Sequence, residues 1–352
     1  MKHKIRVGVV GSGFGALVHA PAFRAHERYE LVAIASPSHA RDEAKKQGIP
    51  HAFDSCEEML DGVALDLVSI ASPPFMHHRD ASAALTAGKH ILCEKPFTLN
   101  LAQAQELAAR AQSAGTVCAI AFEFRYATSV LAMRELNANK HLGAPRQIEI
   151  AHFGSTLRAS GDRQNSWWFD RSRGGGVGNA YMPHLFDLAL YVAGLAPQKT
   201  LGFMRIANPR RRSKEEAFIS TVADGAFALL DFGEGLAATI TSDLTHAVNS
   251  VLVAVHGEHR TAVSSGKALH ETTTFLVDEE ETAELDLRAN PHAKFAIAHP
   301  SIPLFLSLLD DLAQAIDGNA STVPTFADGL AVQQCLEAIG YSAATAADPT
   351  LP

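Results

Sequence analysis

The chain has 352 residues, 47% of them hydrophobic and 19% charged, enough for about two domains with cores of their own. A net charge of −8 excludes a nucleic-acid surface, which needs a concentrated basic stripe. The four cysteines (Cys56, Cys93, Cys118 and Cys335) lack CxxC spacing, which excludes a zinc knuckle or disulfide framework and predicts reduced thiols in a cytoplasmic protein. No apolar run reaches the length of a membrane span, and Met1–Lys4 leads straight into a core strand rather than a signal segment, so no membrane partner is expected.

Ile5–Val10 is a β-branched, apolar run that stops at Gly11-Ser12-Gly13-Phe14-Gly15-Ala16, and an apolar-periodic segment, Leu17–Phe23, follows and predicts a helix. Strand, glycine turn and helix form the dinucleotide fingerprint G-x-G-x-x-G/A, with Ala16 in the last place. Gly11 permits a turn that a Cβ would strain, Gly13 lets backbone approach a pyrophosphate, and Ala16 lets the helix pack on the strand. The amide groups at the helix start then face the phosphates.

Strand patterns recur at Tyr29–Ser36, His51–Phe53, Leu65–Ala71, Lys89–Cys93 and Thr116–Phe122. Helical patterns lie between them: Ser38–Gln47, Cys56–Leu60, Phe75–Thr86 and Leu101–Ser113. This alternation predicts a doubly wound parallel α/β sheet. Near Arg125 the pattern changes. After a helix over Thr128–Asn137 come strand signals at Arg146–Phe153, Thr200–Ile206, Ala217–Asp231, Gly235–Asp243, Ser250–His256 and Thr272–Val277, interrupted by a helix over Pro183–Ala193. These predict an α+β second domain with an antiparallel sheet. Two closing helices, Ile302–Asp317 and Phe326–Ala343, are expected to pack back on the sheet or on the first domain.

Ser72-Pro73-Pro74 with His77 follows the fourth strand, and Glu94-Lys95-Pro96 follows the fifth. With the glycine turn, with Phe122-x-x-Arg125-Tyr126, with Gly174-Gly175-Gly176 before His184 and Asp187, and with Asp328-Gly329-Leu330, they make the chain resemble the Gfo/Idh/MocA oxidoreductases over nearly its whole length. The resemblance implies a Rossmann domain over 1–124 and a domain over 125–352 with an open-faced, mainly antiparallel sheet that mediates homodimer or homotetramer contacts. It also implies NAD(P)-dependent chemistry on a hydroxyl or carbonyl carbon of a sugar, cyclitol or related polyol. Two other uses of the scaffold stay open: a non-catalytic NAD(P)-sensing regulator, and a glycosidase that holds NAD.

Oxidising a secondary alcohol needs a nicotinamide near the carbinol carbon and a group to take the hydroxyl proton. Lys95, beyond the carboxyl end of strand five, stands on the rim where open α/β sheets bind ligands, and its ammonium can steady a developing alkoxide. His184 is the matching proton-transfer residue, since an imidazole titrates near neutrality. The family pattern G-G-G-x-x-x-D-x-G-x-H-x-x-D is broken here: GGGVGNAYMPHLFD puts Ala180 in place of the acid and Met182 in place of a glycine. Asn179, Tyr181 and Asp187 are the nearby polar substitutes, and Arg125 and Trp168 complete the candidate substrate contacts.

Cofactor contacts are assigned to Gly11, Ser12, Gly13, Phe14, Gly15, Ala16, Ser36, Ser38, Arg41, Ser72, Pro73, His77, Glu94, Lys95 and Pro96. The end of strand two carries Ser36-Pro37-Ser38 with Arg41 and no carboxylate for a ribose 2′-hydroxyl, which favours NADP over NAD. Arg158, Arg163, Arg171 and Arg173 read as a solvated loop, and Arg210-Arg211-Arg212 with Lys214 as an exposed hairpin tip. His77-His78, the one adjacent histidine pair, has no metal-binding frame, and no metal is expected.

Overall fold

The computed structural model of the chain describes residues 3–158 and 163–340. It divides into two compact units, Met1–Tyr126 with Asn290–Leu330, and Ala127–Ala289 with Ala331–Pro352. The sequence assigns everything after 124 to the second domain. Here residues 290–330 belong to the first unit.

The first unit alternates β1 (Ile5–Val10), α1 (Ala20–Ala25), β2 (Tyr29–Ala35), α2 (Ala40–Gln47), β3 (His51–Phe53) and α3 (Cys56–Gly62). It continues with β4 (Leu67–Ile70), α4 (Pro74–Thr86), β5 (His90–Cys93), α5 (Leu101–Ser113) and β6 (Cys118–Ile120). Local chemistry sets the helix ends. Ser55 accepts from the Glu58 amide at 3.1 Å to start α3, Asn100 accepts from Gln103 at 3.0 Å to start α5, and Gly48 stops α2 in the left-handed region. The sheet is parallel throughout, in the order β3-β2-β1-β4-β5-β6, so the strand order reverses between β1 and β4.

The second unit holds α6 (Thr128–Ala138), β7 (Pro145–Phe153), α7 (Val177–Ala180), α8 (Met182–Ala193), β8 (Lys199–Arg205), β9 (Arg210–Arg212) and β10 (Ala217–Ile219). Then follow β11 (Gly225–Gly233), β12 (Leu236–Asp243), β13 (Ser250–Gly257), β14 (Thr261–Gly266), β15 (Thr272–Val277) and β16 (Thr282–Glu284). Its large sheet runs β16-β15-β14-β13-β7-β12-β11-β8 and is antiparallel except where β7 and β12 pair. The apolar helix α8 packs on β7 and β12. The chain then forms α9 (Ile302–Ile316) and α10 (Phe326–Ala338). Phe305, Leu308, Leu309 and Leu312 of α9 share a core with Val7, Val9 and Phe23, which is why this late segment joins the first unit. The last three residues of the helix expected over 326–343 lie outside the described residues.

Several expectations are corrected. The helix expected over Leu17–Phe23 is a π-helical turn, Gly15–His19, followed by α1, because Pro21 has no amide hydrogen for the α ladder and its ring crowds the preceding turn. The strand expected over Thr116–Phe122 is confined to β6, whose Ile120 amide donates to the Pro324 carbonyl at 2.8 Å and whose Ala119 bridges to Thr325. The strand expected over Ala217–Asp231 breaks into β10 and β11. Between them the buried carboxylate of Asp224 accepts from the Ala207 and Asn208 amides at 2.8 and 2.9 Å. Arg211 is no exposed hairpin residue: it is buried, donating to the Leu157 carbonyl at 2.8 Å and to Asp224 at 3.3 Å. A buried carboxylate needs that cation.

In the first unit, Arg125 donates to Asp328 at 2.8 Å, and Asp328 also accepts from the amide and hydroxyl of Thr325, both at 2.7 Å. Burial opposes the charged acid, but Arg125 and Thr325 outweigh it and hold the Asp328 pKa below the ordinary value. Asp328→Asn is therefore expected to lower stability by about 1–2 kcal/mol in urea unfolding, a figure discounted for partial exposure. Because the folded pKa is depressed, the deficit is present above the free-acid pKa and closes as pH falls through the folded value. An equal deficit at acidic and neutral pH would refute this.

Candidate functional site

The first unit's candidate residues gather beyond the carboxyl ends of β1, β4 and β5, at the reversal of strand order where open α/β sheets bind ligands. Gly11 has φ +113°, and a Cβ there would sit 2.2 Å from the Ala71 carbonyl oxygen, so the turn admits only glycine. A Cβ on Gly13 would meet nothing within 4 Å: that side of the turn is open space. The hydroxyls of Ser12 and Ser36 share a hydrogen bond of 2.9 Å, bringing the glycine turn to the end of β2. Phe14 makes no side-chain cap, and no acid occupies the first turn after it. A turn closed to a Cβ at Gly11 and open at Gly13 fits a dinucleotide, with Ala16 buried beneath. Ser38 is exposed, and Arg41 is paired through two hydrogen bonds of 2.9 and 3.1 Å with Asp54.

Ser72 and His77 build the rim beside it. The Ser72 hydroxyl donates to Asp80 at 2.7 Å. The buried ring nitrogens of His77 lie 2.8 Å from the Ser72 carbonyl and 2.9 Å from that of Pro96, linking the two loops. Burial pulls the His77 pKa below its ordinary value. Pro73 is the residue before α4, extended at φ −60° and ψ 150°. Glu94 is buried. Desolvation pushes its pKa up, but a hydrogen bond from His19 and the charge of Lys95 outweigh it and hold the carboxyl below the ordinary range. One Glu94 oxygen accepts from His19 Nε2 at 3.1 Å and the other from the Lys95 amide at 3.2 Å. Lys95 itself is half-buried.

The second unit places its candidates around the start of α8. Gly174 and Gly176 have φ of +80° and +87°, and a Cβ on Gly175 would lie 2.1 Å from the Trp168 carbonyl oxygen. The glycine run is thus what allows the half-buried Trp168 turn to close against it. Asn179, on α7, is buried, and so are His184 and Asp187, one turn apart on α8. Tyr181 bridges the two helices, and its ring stacks on His152 of β7 with centroids 3.9 Å apart. His152 lies 3.1 Å from the Ser242 hydroxyl, and burial pushes its pKa down to about 4, which makes it a neutral partner. Burial raises the Tyr181 phenol. Ala180, in the acid's place, is half-exposed, and Met182 is fully buried. Arg171 donates to the Gly340 carbonyl at 2.6 Å, and Arg163 to that of Thr156.

Two residues were missed in the sequence. His19 lies on the π turn after β1, and His152 in a strand. A histidine inside an otherwise apolar helical run directly after the glycine turn is the one sequence signal by which the first could have been found. Nothing in sequence singles out the second among 17 histidines.

A glycine turn at the strand-order reversal of a parallel sheet defines a dinucleotide-binding domain, and comparison with known proteins agrees. Residues 5–122 match the model of the oxidoreductase family with an NAD-binding Rossmann fold, and residues 130–263 match the Gfo/Idh/MocA C-terminal domain. The chain belongs to the Gfo/Idh/MocA oxidoreductase family. It is 34% identical over 194 residues to an uncharacterized oxidoreductase of Synechocystis, covering 54% of this chain and 52% of that protein. It is 29% identical over 240 residues to the D-glucoside 3-dehydrogenase of Escherichia coli, covering 66% of this chain and 68% of that enzyme. The chain thus spans about half the length of the first of these relatives. Levoglucosan dehydrogenase, solved with NADH and L-sorbose, shares the fold at a TM-score of 0.85 and 21% identity over 97% of both chains. Among the described residues no helix is long and apolar enough to cross a membrane.

Proposed function

We propose that the protein is an NAD(P)-dependent dehydrogenase or reductase that moves a hydride between the nicotinamide and a hydroxyl or carbonyl carbon of a sugar, cyclitol or related polyol. The observation that carries this is Lys95, half-buried beyond β5 and tied by its own amide to the buried Glu94. Membership of an oxidoreductase family and likeness to D-glucoside 3-dehydrogenase support the reaction and the substrate class. Bound cofactor supplies the hydride acceptor. Lys95 steadies negative charge on the substrate oxygen, and His184 takes or returns the proton. Tyr181, Asn179, Asp187, Trp168 and Arg125 hold the polyol. With Ala180 in the acid's place, the stacked Tyr181–His152 pair is the polar group next to it in sequence and takes over orientation of the substrate.

The same vacancy of charge at Ala180 favours one second reading, a nucleotide sensor that binds cofactor without turnover. A panel of sugars, cyclitols and their keto forms, assayed with both cofactors for nicotinamide reduction or oxidation, separates the two. Turnover with at least one polyol is the expected result, and tight cofactor binding without turnover across the panel overturns it.

For the cofactor, NADP is favoured. Ser36, Ser38 and Arg41 at the end of β2 offer donors and no carboxylate, although Arg41 must share its charge with Asp54. Calorimetry is expected to show tighter binding of NADP than of NAD, and Arg41→Ala to weaken NADP about tenfold while sparing NAD. NAD binding more tightly than NADP would reverse the assignment. For the assembly, Leu201, Phe203 and Leu229 stand 51%, 59% and 57% exposed on neighbouring strands of the large sheet, an apolar face suited to a second copy in a homodimer or homotetramer. The buried, free cysteines suit a reducing, cytoplasmic setting.

A further inference from the structure

We propose that His19 is a positioning residue for Lys95, acting through Glu94. This rests on the reading of Lys95 as the catalytic lysine.

His19 closes the π-helical turn Gly15–His19, where the Ala20 amide reaches back to the Gly15 carbonyl. Single π turns are rare and concentrate at functional sites, because the extra residue in the turn re-aims the side chain that follows. Here it aims an imidazole with no exposed surface into the sheet. The Phe305 ring lies against it, centroids 4.3 Å apart, and Phe14 meets it edge-on at 5.7 Å.

Both ring nitrogens are spent. Ionised Glu94 only accepts, so the Nε2–H of His19 donates to it at 3.1 Å. Nδ1 lies 2.8 Å from the Ser69 hydroxyl, so both nitrogens are paired. Ser69 lies on β4, Glu94 directly follows β5, and the π turn follows β1. One imidazole therefore ties three adjacent strands of the sheet at the reversal of strand order.

The coupling to Lys95 is short. One Glu94 oxygen is held by His19, the other holds the Lys95 amide at 3.2 Å, and the Glu94 amide is fixed on the Ile70 carbonyl at 2.8 Å. The plane of that carboxylate sets the first peptide of the lysine loop. The charged or titratable groups that act on Glu94 are His19 from the π turn, Lys95 from its own loop and His77 from α4. Asp80 of α4 and the Cys93 thiol of β5 lie in the same electrostatic neighbourhood. From α9 the ring of Phe305 covers His19. Removing the His19 donor releases one oxygen of the Glu94 carboxylate, so neither its plane nor the first peptide of the lysine loop stays fixed.

Two substitutions separate positioning from packing. His19→Gln keeps an N–H near the Nε2 position, whereas His19→Asn keeps one only near Nδ1 and loses Glu94. The probe is the full chain reductively methylated with ¹³C-formaldehyde. Its Lys95 resonance, identified by its absence in Lys95→Ala, is located by NMR, and NADH affinity is read by fluorescence. His19→Asn is expected to displace the Lys95 resonance and to reduce kcat about tenfold on any polyol that turns over, with NADH affinity within about twofold of wild type. His19→Gln is expected to restore both. Ser69→Ala, which empties no large volume, is expected to displace the resonance in the same direction by less. Asn and Gln variants that behave alike, both as wild type or both equally impaired, would make His19 a core residue and overturn the proposal. A Lys95→Ala enzyme that turns over at the wild-type rate would instead remove the underlying reading, whatever the His19 variants do.

Discussion

Lys95→Ala is expected to lower kcat by a factor of about 10²–10³ while leaving cofactor affinity within a few-fold of wild type. The lysine lies half-buried on the rim beyond β5, where an ammonium is worth more than in water because little solvent screens it. Removing a group that acts on charge developing in the transition state lowers kcat and kcat/KM together. The cofactor's phosphates are assigned to the glycine turn after β1, which this substitution does not touch. Equal losses of cofactor affinity and rate would make Lys95 a binding residue only. Lys95→Arg is expected to recover little, since a planar guanidinium cannot place a point charge where the ammonium stood.

The second large effect is a contrast between two glycines of one turn. Gly11→Ala puts a methyl 2.2 Å from the Ala71 carbonyl oxygen at a residue with φ +113°. Strain and overpacking together are expected to cost about 3 kcal/mol or more, which corresponds to a fall in Tm of roughly 6–12 °C for a unit of this size. Gly13→Ala meets no protein atom within 4 Å. Its stability is expected to stay within about 0.5 kcal/mol of wild type. Its affinity for NAD or NADP is expected to fall at least about tenfold, because the methyl occupies the space through which a pyrophosphate approaches backbone. Calorimetric scans and binding titrations of the two variants read both. A Gly13→Ala protein that binds dinucleotide normally would show that the open side of the turn is not where the ligand lies.

Much of this was legible in the sequence because it depends on local rules. β1, the glycine turn, and the alternation of strands and helices through β6 follow from apolar runs and punctuating glycines. α5 begins at the residue expected, because Asn100 caps it. The second domain's mainly antiparallel sheet was legible as well, though not its connections. Thr261–Gly266, with two serines and a glycine, is not among the expected strands, yet it pairs on both edges, and the buried hydroxyls of Ser264 and Thr274 bond to each other at 3.0 Å. Where tertiary partners decide, sequence reading fails. Arg211 sits between two exposed arginines and looks solvated until Asp224 is found beneath it. That α9 packs back was expected, but its particular partners in the first core lie almost 300 residues away, such as the Tyr29 hydroxyl on the Leu309 carbonyl at 2.9 Å. His19 was hidden for the same reason. Its apolar neighbours announce a helix, and only the π turn and the carboxylate of Glu94 show what the ring is for.

Hydride transfer itself is the claim to test most directly. The polyol with the best turnover in the panel would be prepared with deuterium on the carbinol carbon and incubated with the wild-type protein and the preferred oxidised cofactor. Mass spectrometry of the recovered cofactor would then locate the label. The account predicts reduced nicotinamide carrying one deuterium, formed in step with the keto product and nearly absent with Lys95→Ala. Sugar consumed while the cofactor is recovered oxidised and unlabelled would contradict it, and would place the chemistry on bond cleavage rather than net oxidation.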